Sequence, residues 1–271
     1  MKQGLQRSFL FVPATRPERI PKALASGADA VIVDLEDAVA HDKKDEARQA
    51  LQEFLEQTPD ARVMVRVNST SRELKQDLVL CTKFSGVMGV MLPKTETCHQ
   101  IEQVRTCNKP VWPLIETARG LLVLPSLVFT AGIERLCFGA LDMATELNLT
   151  PGTNGASKIL DQCRYQLVVC SRSAGLAPPV ESVVPEIDDL TAVERTATHA
   201  AEMGFTGMLS IHPRQLPAIH QAFTPSEEAL AWARRVLEGA ETLGGAFQHD
   251  GQMIDAPVIS RARALLARAG H

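Results

Sequence analysis

Eight short, nearly continuous apolar runs alternate along this 271-residue chain with longer segments of helical periodicity, such as residues 43–55 and 190–203. Such runs are typical of parallel strands buried on both faces, with each helical segment crossing from one strand to the next. We interpret as strands residues 8–12, 30–33, 62–67, 89–92, 110–115, 135–138, 176–180 and 207–211. Because a barrel of eight strand–helix units typically needs about 250 residues, the pattern predicts a (β/α)8 TIM barrel, an α/β fold.

The chain continues beyond the eighth strand. Two further helices are predicted over 226–243 and 257–269, joined by a glycine-containing linker at 244–251. A barrel does not need this tail in order to close. We therefore divide the chain into a barrel catalytic domain at 1–223 and a C-terminal helical extension at 224–271, which packs on a neighbouring subunit or covers the mouth of the site.

Composition argues against several classes of function. The net charge of −4 and the absence of a basic stripe make nucleic acid a poor partner. The six cysteines form no Cys-x-x-Cys pair, which in a chain of this size indicates reduced thiols and a cytoplasmic location. No uninterrupted apolar stretch reaches the roughly 18 residues of a membrane span, so we expect no contact with a membrane.

Polar side chains gather where the predicted strands end. They are Asp34, Glu36 and Asp37 after strand two, Arg66 and Asn68 at the end of strand three, Lys94 at the end of strand four, Glu116 at the end of strand five, Asp142 a few residues after strand six, and Ser210 and His212 at the end of strand eight. The carboxyl ends of all strands in a barrel meet at one rim, where barrel enzymes carry out catalysis. We therefore expect these groups to converge on one site.

Glu116 and Asp142 follow buried runs on adjacent strands, where a charge must be paired or bound to a metal. Together they offer two carboxylates to one hard cation and leave coordination positions for water and substrate, which favours Mg²⁺, with Mn²⁺ as a substitute. The alternative is that both acids are helix caps or ordinary charges of the rim.

Arg66 and Lys94 are the candidate substrate-binding cations. The guanidinium of Arg66 fits a substrate carboxylate or a developing enolate oxygen, but it could also form a salt bridge with Asp34, Glu36 or Asp37. Lys94 raises a competing mechanism, because a lysine at a strand end can form a Schiff base with a carbonyl substrate. That reaction requires an apolar surrounding, and the many acids of the rim favour an ordinary charged lysine.

Seven segments, in order over nearly the whole chain, carry a resemblance to a known family. They are RSFLFVP (7–13), DLEDAV (34–39), VRVN (65–68), MLPK (91–94), IETA (115–118), FGALD (138–142) and IHP (211–213). The chain resembles the citrate lyase β-subunit-like branch of the HpcH/HpaI aldolase/citrate lyase superfamily.

The resemblance implies a homotrimer of barrels that binds Mg²⁺ through Glu116 and Asp142. It implies that Arg66 meets the substrate oxygens and that the acids of 34–37 support it, with Glu36 and Asp37 as catalytic groups and Asp34 and Lys94 as substrate contacts. The tail segment GQMIDAP (251–257) looks like the family segment in which an aspartate reaches into a neighbouring subunit.

The resemblance makes Asp255 the candidate general acid/base, and its alternative role is to cap the final helix. Arg19 and Lys22, at the start of the first helix, are candidate contacts for the phosphates of coenzyme A.

The chemistry implied by the resemblance is cleavage of a 3-hydroxyacyl thioester of coenzyme A. The first choice is (S)-citramalyl-CoA, giving acetyl-CoA and pyruvate, because short stand-alone relatives include enzymes of itaconate breakdown. Alternatives are a malyl-CoA or methylmalyl-CoA lyase, a citryl thioester lyase working with an acyl carrier protein, and a thioester-binding regulatory subunit without turnover. Departures from the family pattern at 177–181 and 207–210 are expected to alter the pocket that binds the acyl chain.

Overall fold

The computed structural model describes residues 6–244, 246–249 and 251–268. Eight parallel strands pair in sequence order, and β8 pairs with β1 to close the barrel, so the predicted fold is confirmed. The strands are β1 (Ser8–Pro13), β2 (Ala30–Asp34), β3 (Val63–Arg66), β4 (Val87–Leu92), β5 (Val111–Ile115), β6 (Arg135–Phe138), β7 (Ala177–Glu181) and β8 (Gly207–Ser210).

Helices surround the barrel. They are α1 (Ile20–Leu24), α2 (Lys44–Gln57), α3 (Ser71–Lys83), α4 (Cys98–Arg105), α5 (Ala118–Leu127), α6 (Ala140–Glu146), α7 (Asn154–Ser173), α8 (Leu190–Glu202) and α9 (Leu216–Phe223). The interval between β6 and β7 holds two helices, the short α6 and the 20-residue α7. Asp189 accepts a hydrogen bond from the amide of Ala192 and caps α8.

Alternate side chains of each strand explain the two layers of the core. Along β1, Phe9 belongs to the cluster inside the barrel, whereas Leu10 and Val12 pack outward against the helices. The interior cluster consists of Phe9, Ile32, Met64, Met91, Trp112, Leu114, Cys137, Val180 and Leu209. Because this interior is filled, the polar groups that follow the strands are left to build a site at the rim.

The extension after the barrel has a small core of its own. It comprises α10 (Glu227–Leu243), β9 (Phe247–His249), β10 (Gln252–Ile254) and α11 (Ala256–Arg268). Its buried residues are Ala233, Val236, Ile254 and Ala262. The division at 223/224 and the packing of the extension on a neighbouring subunit stay predictions.

The segment predicted as a linker at 244–251 is instead partly a hairpin, in which β9 and β10 pair antiparallel. The reason is packing. The ring of Phe247 lies where a side chain on Gly239 of α10 would be, 2.6 Å from an ideal Cβ position, and Ile254 is almost fully buried. Residues 245, 250 and 269, which belong to the predicted linker and final helix, lie outside the described residues.

Two chain-wide features complete the fold. All six cysteines are free thiols, and five of them are buried. Within the described ranges, no helix combines the length and the apolar character needed to cross a bilayer.

A polar cluster joins α9 to the amino-terminal end of the barrel. Nε2 of His220 lies 2.7 Å from Oγ of Ser8 and 3.6 Å from Oδ2 of Asp29. A catalytic serine–histidine–aspartate triad uses both imidazole nitrogens, one toward each partner. Here one nitrogen faces both partners, so we interpret the cluster as structural.

The same cluster makes stability depend on pH. Burial, together with the charge of Arg7 and against that of Asp29, lowers the pKa of His220 below its usual 6.5. The unfolded chain therefore takes up a proton at a higher pH than the folded protein does. Accordingly, we expect the free energy of unfolding to fall as the pH drops below about 6.5. Urea unfolding at pH 7.5 and 5.5 measures this change. If His220→Gln lost as much free energy of unfolding between the two pH values as the wild type does, His220 would not be its cause.

Candidate active site

A pocket opens at the carboxyl-terminal rim of the barrel; we call it the rim pocket. Its volume is about 50 Å³, and it is lined by Phe11, Arg66, Leu114, Glu116, Phe138, Gly139, Leu141, Asp142, Ser182, Val183 and Leu209. The structure thus brings together Arg66, Glu116 and Asp142, three of the residues predicted from sequence. Apart from Gly139 and Ser182, the rest of the lining is apolar.

Glu116 follows β5 and is almost completely buried. Its Oε1 accepts a hydrogen bond of 2.8 Å from the backbone amide of Lys94, whose φ of +48° is unusual for a residue other than glycine. Burial, opposed by that amide and reinforced by the charge of Asp142, raises the pKa of Glu116 to about 8. A buried carboxyl with this pKa is suited to binding a cation, because a nearby positive charge would stabilise its ionised form.

Gly139 provides the room for this carboxylate. An ideal Cβ on Gly139 would lie 2.4 Å from Cβ of Glu116 and 2.5 Å from its Oε2. Gly139 leads directly into α6, whose first turn carries Asp142. The short segment between β6 and α6 therefore both clears a space for Glu116 and brings the second carboxylate to the same pocket.

We expect Gly139→Ala to displace Glu116 and to lower both Mg²⁺ affinity and kcat/KM by about 10-fold or more, in the range seen when a partner of a metal ligand is lost. Gly155→Ala is the matched control, because nothing lies within 4 Å of its ideal Cβ position. Metal titration and steady-state kinetics of both variants check this. Equal behaviour of the two variants would show that the close contact with Glu116 is unimportant.

The donor set fits a hard cation. In the part of the chain that the structure describes, no three histidine, cysteine or acidic side chains cluster closely enough to form a complete metal cage. Glu116 and Asp142 supply carboxylate oxygens only. Mg²⁺ is commonly held by one or two carboxylates and keeps its remaining positions for water and substrate oxygens, so these residues suit it.

Arg66 ends β3 and is held in a fixed orientation. Its Nε and Nη2 donate to Oδ1 and Oδ2 of Asp34, each at 2.7 Å, and its guanidinium lies 4.8 Å from the centre of the Phe11 ring. The backbone amides of Glu36 and Ala38 donate to the same Asp34 carboxylate. The substrate-binding and salt-bridge interpretations of Arg66 are therefore compatible.

Asp34, a substrate contact according to the resemblance, is buried behind Arg66 and forms its hydrogen bonds within the protein. Four donors already use its two oxygens, its side chain is 1% exposed, and it does not line the rim pocket. Its carboxylate orients Arg66, and its role as a substrate contact stays a prediction.

Glu36, Asp37 and Lys94 form an ionic cluster beside Arg66. Nζ of Lys94 contacts Glu36 and lies 3.3 Å from Asp37, and Oε2 of Glu36 is 3.4 Å from Nη1 of Arg66. Burial, opposed by Arg66 and Lys94, raises the pKa of Glu36. Although burial acts in the opposite direction, Glu36 and Lys94 lower the pKa of Asp37. Two acids whose pKa values are pushed apart are suited to passing a proton.

Lys94 does not have the surroundings of a Schiff-base lysine. Burial alone would lower its pKa, but Glu36, Asp37 and Glu116 raise it above the usual value. A nucleophilic lysine needs the opposite shift, because only the neutral amine attacks a carbonyl. The ordinary charged lysine is the favoured interpretation.

Several predicted residues lie outside the rim pocket. Arg19 and Lys22 are exposed just after β1, and Asp255 is half-buried before α11, where its Oδ1 accepts a hydrogen bond from the amide of Val258. Ser210 is buried and donates to the carbonyl of Phe9, and His212 accepts from the amide of Arg214. The roles of Arg19, Lys22 and Asp255 stay predictions.

The end of β7 differs from expectation. The sequence departure at 177–181 was expected to alter the pocket wall, but Glu181 is fully buried and forms two hydrogen bonds with Arg164 of α7. The next residues, Ser182 and Val183, line the pocket instead. Sequence reasoning missed both; the only available signal was their position directly after a strand, a place that barrel enzymes often use.

Comparisons with known proteins show which family the chain belongs to. The HpcH/HpaI aldolase/citrate lyase family matches residues 7–213. A citrate lyase subunit beta-like protein of Mycobacterium tuberculosis is 35% identical over 267 residues, covering 97% of this chain and 95% of the relative. A (3S)-malyl-CoA thioesterase of Cereibacter sphaeroides is 32% identical over 273 residues, with 97% and 94% covered. The mitochondrial citramalyl-CoA lyase of Homo sapiens is 29% identical over 289 residues, with 95% and 84% covered.

Several solved structures match over almost the full length of the chain. The crystal structure of the protein CitE from Mycobacterium tuberculosis, in complex with magnesium, acetoacetate and coenzyme A, has a TM-score of 0.86 and 34% sequence identity. The match covers 99% of this chain and all of that chain. The resemblance seen in the sequence motifs is thus confirmed, and the chain belongs to the HpcH/HpaI aldolase/citrate lyase family.

Proposed function

We propose that this lyase depends on Mg²⁺ and cleaves a 3-hydroxyacyl thioester of coenzyme A, with (S)-citramalyl-CoA as substrate and acetyl-CoA and pyruvate as products. The observation that carries the proposal is the meeting of Glu116 and Asp142 with Arg66 in one pocket at the rim of the barrel. The relatives of known activity and the structure that contains both magnesium and coenzyme A support it.

Each polar residue of the site has a part in the proposed reaction. Glu116 and Asp142 would hold the cation, Mg²⁺ or Mn²⁺, which when bound supplies Lewis-acid activation of substrate oxygens. Arg66 binds a substrate carboxylate or the developing enolate oxygen. The Glu36–Asp37 pair, with Lys94 as its counter-charge, accepts the proton of the substrate hydroxyl.

The bond that breaks joins the hydroxyl-bearing carbon to the methylene carbon next to the thioester. The hydroxyl oxygen becomes the keto oxygen of pyruvate, and the electron pair of the broken bond moves into the thioester enolate. Asp255 of a neighbouring subunit donates a proton to the methylene carbon of this enolate, which gives acetyl-CoA. Arg19 and Lys22 hold the phosphates of coenzyme A.

The shape of the rim pocket favours a small apolar substituent on the substrate. Phe11, Leu114, Phe138, Leu141 and Val183 line the pocket together with the polar groups. A methyl group, as in citramalyl-CoA, suits this lining, whereas the extra carboxylate arm of a citryl thioester would be buried without a partner there. One methyl group sets a preference over malyl-CoA of only about 10–200-fold, so the malyl and methylmalyl esters are the close alternatives.

A coupled assay decides between these functions. Purified protein is offered citramalyl-, malyl-, methylmalyl- and citryl-CoA, and the citryl ester also on an acyl carrier protein, with Mg²⁺ or with a chelator. We expect pyruvate release from citramalyl-CoA that stops in chelator and resumes with Mg²⁺. Pyruvate release that persists in chelator, together with a covalent substrate adduct at Lys94 after borohydride reduction, would establish the Schiff-base mechanism. Binding of thioesters without turnover would identify a regulatory subunit.

A homotrimer with sites shared between subunits forms part of the proposal. We expect Asp255→Ala and Glu116→Ala subunits to be separately inactive and to regain activity when mixed, because a mixed trimer then contains some sites with both residues intact. Native mass spectrometry verifies the mixed trimers, and the coupled assay measures recovery. Verified mixed trimers without activity would place Asp255 in the site of its own chain or outside the reaction.

A further inference from the structure

Ser182 is the one hydroxyl among the described residues that line the rim pocket, which otherwise consists of apolar side chains, a glycine and three charged groups. It is 4% exposed and directly follows β7. Nothing in the sequence motifs pointed to it. Its hydrogen bonds show which part of the hydroxyl remains available to a ligand.

Two contacts fix Ser182 in place. Its backbone amide donates to Oε1 of Glu181 at 2.9 Å, and that carboxylate is held by Arg164. Its Oγ accepts a hydrogen bond of 3.0 Å from the amide of Ala140, the first residue of α6. A serine hydroxyl carries one donor and two acceptor positions. One acceptor position is thus occupied, and the hydroxyl proton has no acceptor within the described part of the chain.

An oriented hydroxyl with an unused proton, facing a pocket that also contains Arg66, is suited to a substrate oxygen. Accepting a hydrogen bond from Ala140 also polarises the hydroxyl and makes it a better donor. Resting on the proposed function, we infer that Ser182 donates a hydrogen bond to an oxygen of the acyl unit of the substrate, the part released as a keto acid. Ser182 would thereby help to select thioesters whose acyl unit has an oxygen acceptor beside β7.

Three variants test this inference in the Mg²⁺-loaded protein. Ser182→Ala removes the hydroxyl, Ser182→Thr keeps it, and Ser171→Ala removes another buried hydroxyl that has no hydrogen-bond partner in the described residues and lies on α7 outside the pocket. The measurements are pyruvate affinity by calorimetry, KM and kcat in the coupled assay, and Mg²⁺ affinity without substrate.

We expect Ser182→Ala to weaken pyruvate binding by about 10-fold or more, as for loss of a hydrogen bond to a charged group. Ser182→Thr and Ser171→Ala should stay within about 3-fold of the wild type. Because Ser182 also contacts the helix that carries Asp142, Mg²⁺ affinity separates two roles. If Ser182→Ala weakens Mg²⁺ as strongly as pyruvate, the residue positions Asp142 and the inferred donor role is wrong.

The remaining outcomes separate this inference from the proposed function. Cleavage by the wild type, with unchanged pyruvate affinity and KM in Ser182→Ala, would overturn the inference alone. If the wild type binds pyruvate but cleaves no thioester, the lyase proposal is wrong, and the affinity difference between the variants still decides the role of Ser182. A wild type that neither cleaves nor binds would overturn both.

Discussion

We expect Glu116→Gln to lower kcat/KM by on the order of 10³-fold or more while the protein stays folded. Glutamine keeps the size of the side chain and one oxygen to accept from the amide of Lys94, but it offers no charge to a cation. Since the carboxyl of Glu116 is buried beside Asp142 and its pKa is raised to about 8, a neutral amide avoids burying a charge there. The metal-free variant should therefore be at least as stable as the metal-free wild type.

The coupled assay measures kcat/KM, urea unfolding in chelator measures stability, and metal titration measures Mg²⁺ affinity, which we expect to fall. Glu134→Gln is the control, because Glu134 precedes β6 at the opposite end of the barrel, where it accepts a hydrogen bond from the indole of Trp112. It should keep its turnover and its Mg²⁺ affinity. Full turnover in Glu116→Gln would refute the assignment of this residue as a metal ligand.

The second large effect is expected for Arg66→Ala. Removal of the guanidinium leaves the buried carboxylate of Asp34 without its cation, which costs about 3 kcal/mol of stability. It also removes the group proposed to bind the substrate oxygens, so we expect kcat/KM to fall by on the order of 10²–10³-fold. Arg66→Lys should recover part of the stability but little activity, because an ammonium group cannot reproduce the two parallel hydrogen bonds.

Arg48→Ala is a closely matched control for Arg66→Ala. The side chain of Arg48 is 12% exposed, as that of Arg66 is, and it pairs with Asp77, a fully buried acid that also accepts from two N–H groups. Arg48→Ala should lose a similar amount of stability and yet keep its kcat/KM once folded. Urea unfolding and kinetics below the unfolding range separate the two effects. Parallel losses of activity in both variants would mean that Arg66 acts through stability only.

Much of the fold could be predicted because its determinants are local. The eight strands appear within two residues of their predicted starts and ends, since each buried strand is a short apolar run between polar helices. The hairpin at 247–254 could not be predicted in this way. It depends on Phe247 meeting Gly239 on another element, a contact that no local pattern records.

The candidate site likewise has features that the sequence predicts and features that it does not. Convergence of Arg66, Glu116 and Asp142 follows from one rule, because the carboxyl ends of barrel strands share a rim. The four donors on Asp34, the close approach of Gly139 to Glu116 and the contacts of Ser182 depend on distances between separate segments. Sequence spacing does not fix those distances. The proposed part of Asp255 in a neighbouring subunit's site would depend on contacts between chains, which the spacing of residues along one sequence does not fix.

The backbone and the side chain of Lys94 have separate contacts, and this separation affects how such an enzyme can evolve. The backbone amide of Lys94 holds Glu116, and its side chain holds Glu36 and Asp37. Any amino acid other than proline can supply the amide, although one that tolerates a positive φ does so most easily. Replacement of the Lys94 side chain can therefore alter the proposed proton transfer while the backbone amide still holds Glu116, the proposed metal ligand. Proteins that evolve from this barrel could in this way acquire new substrates one step at a time.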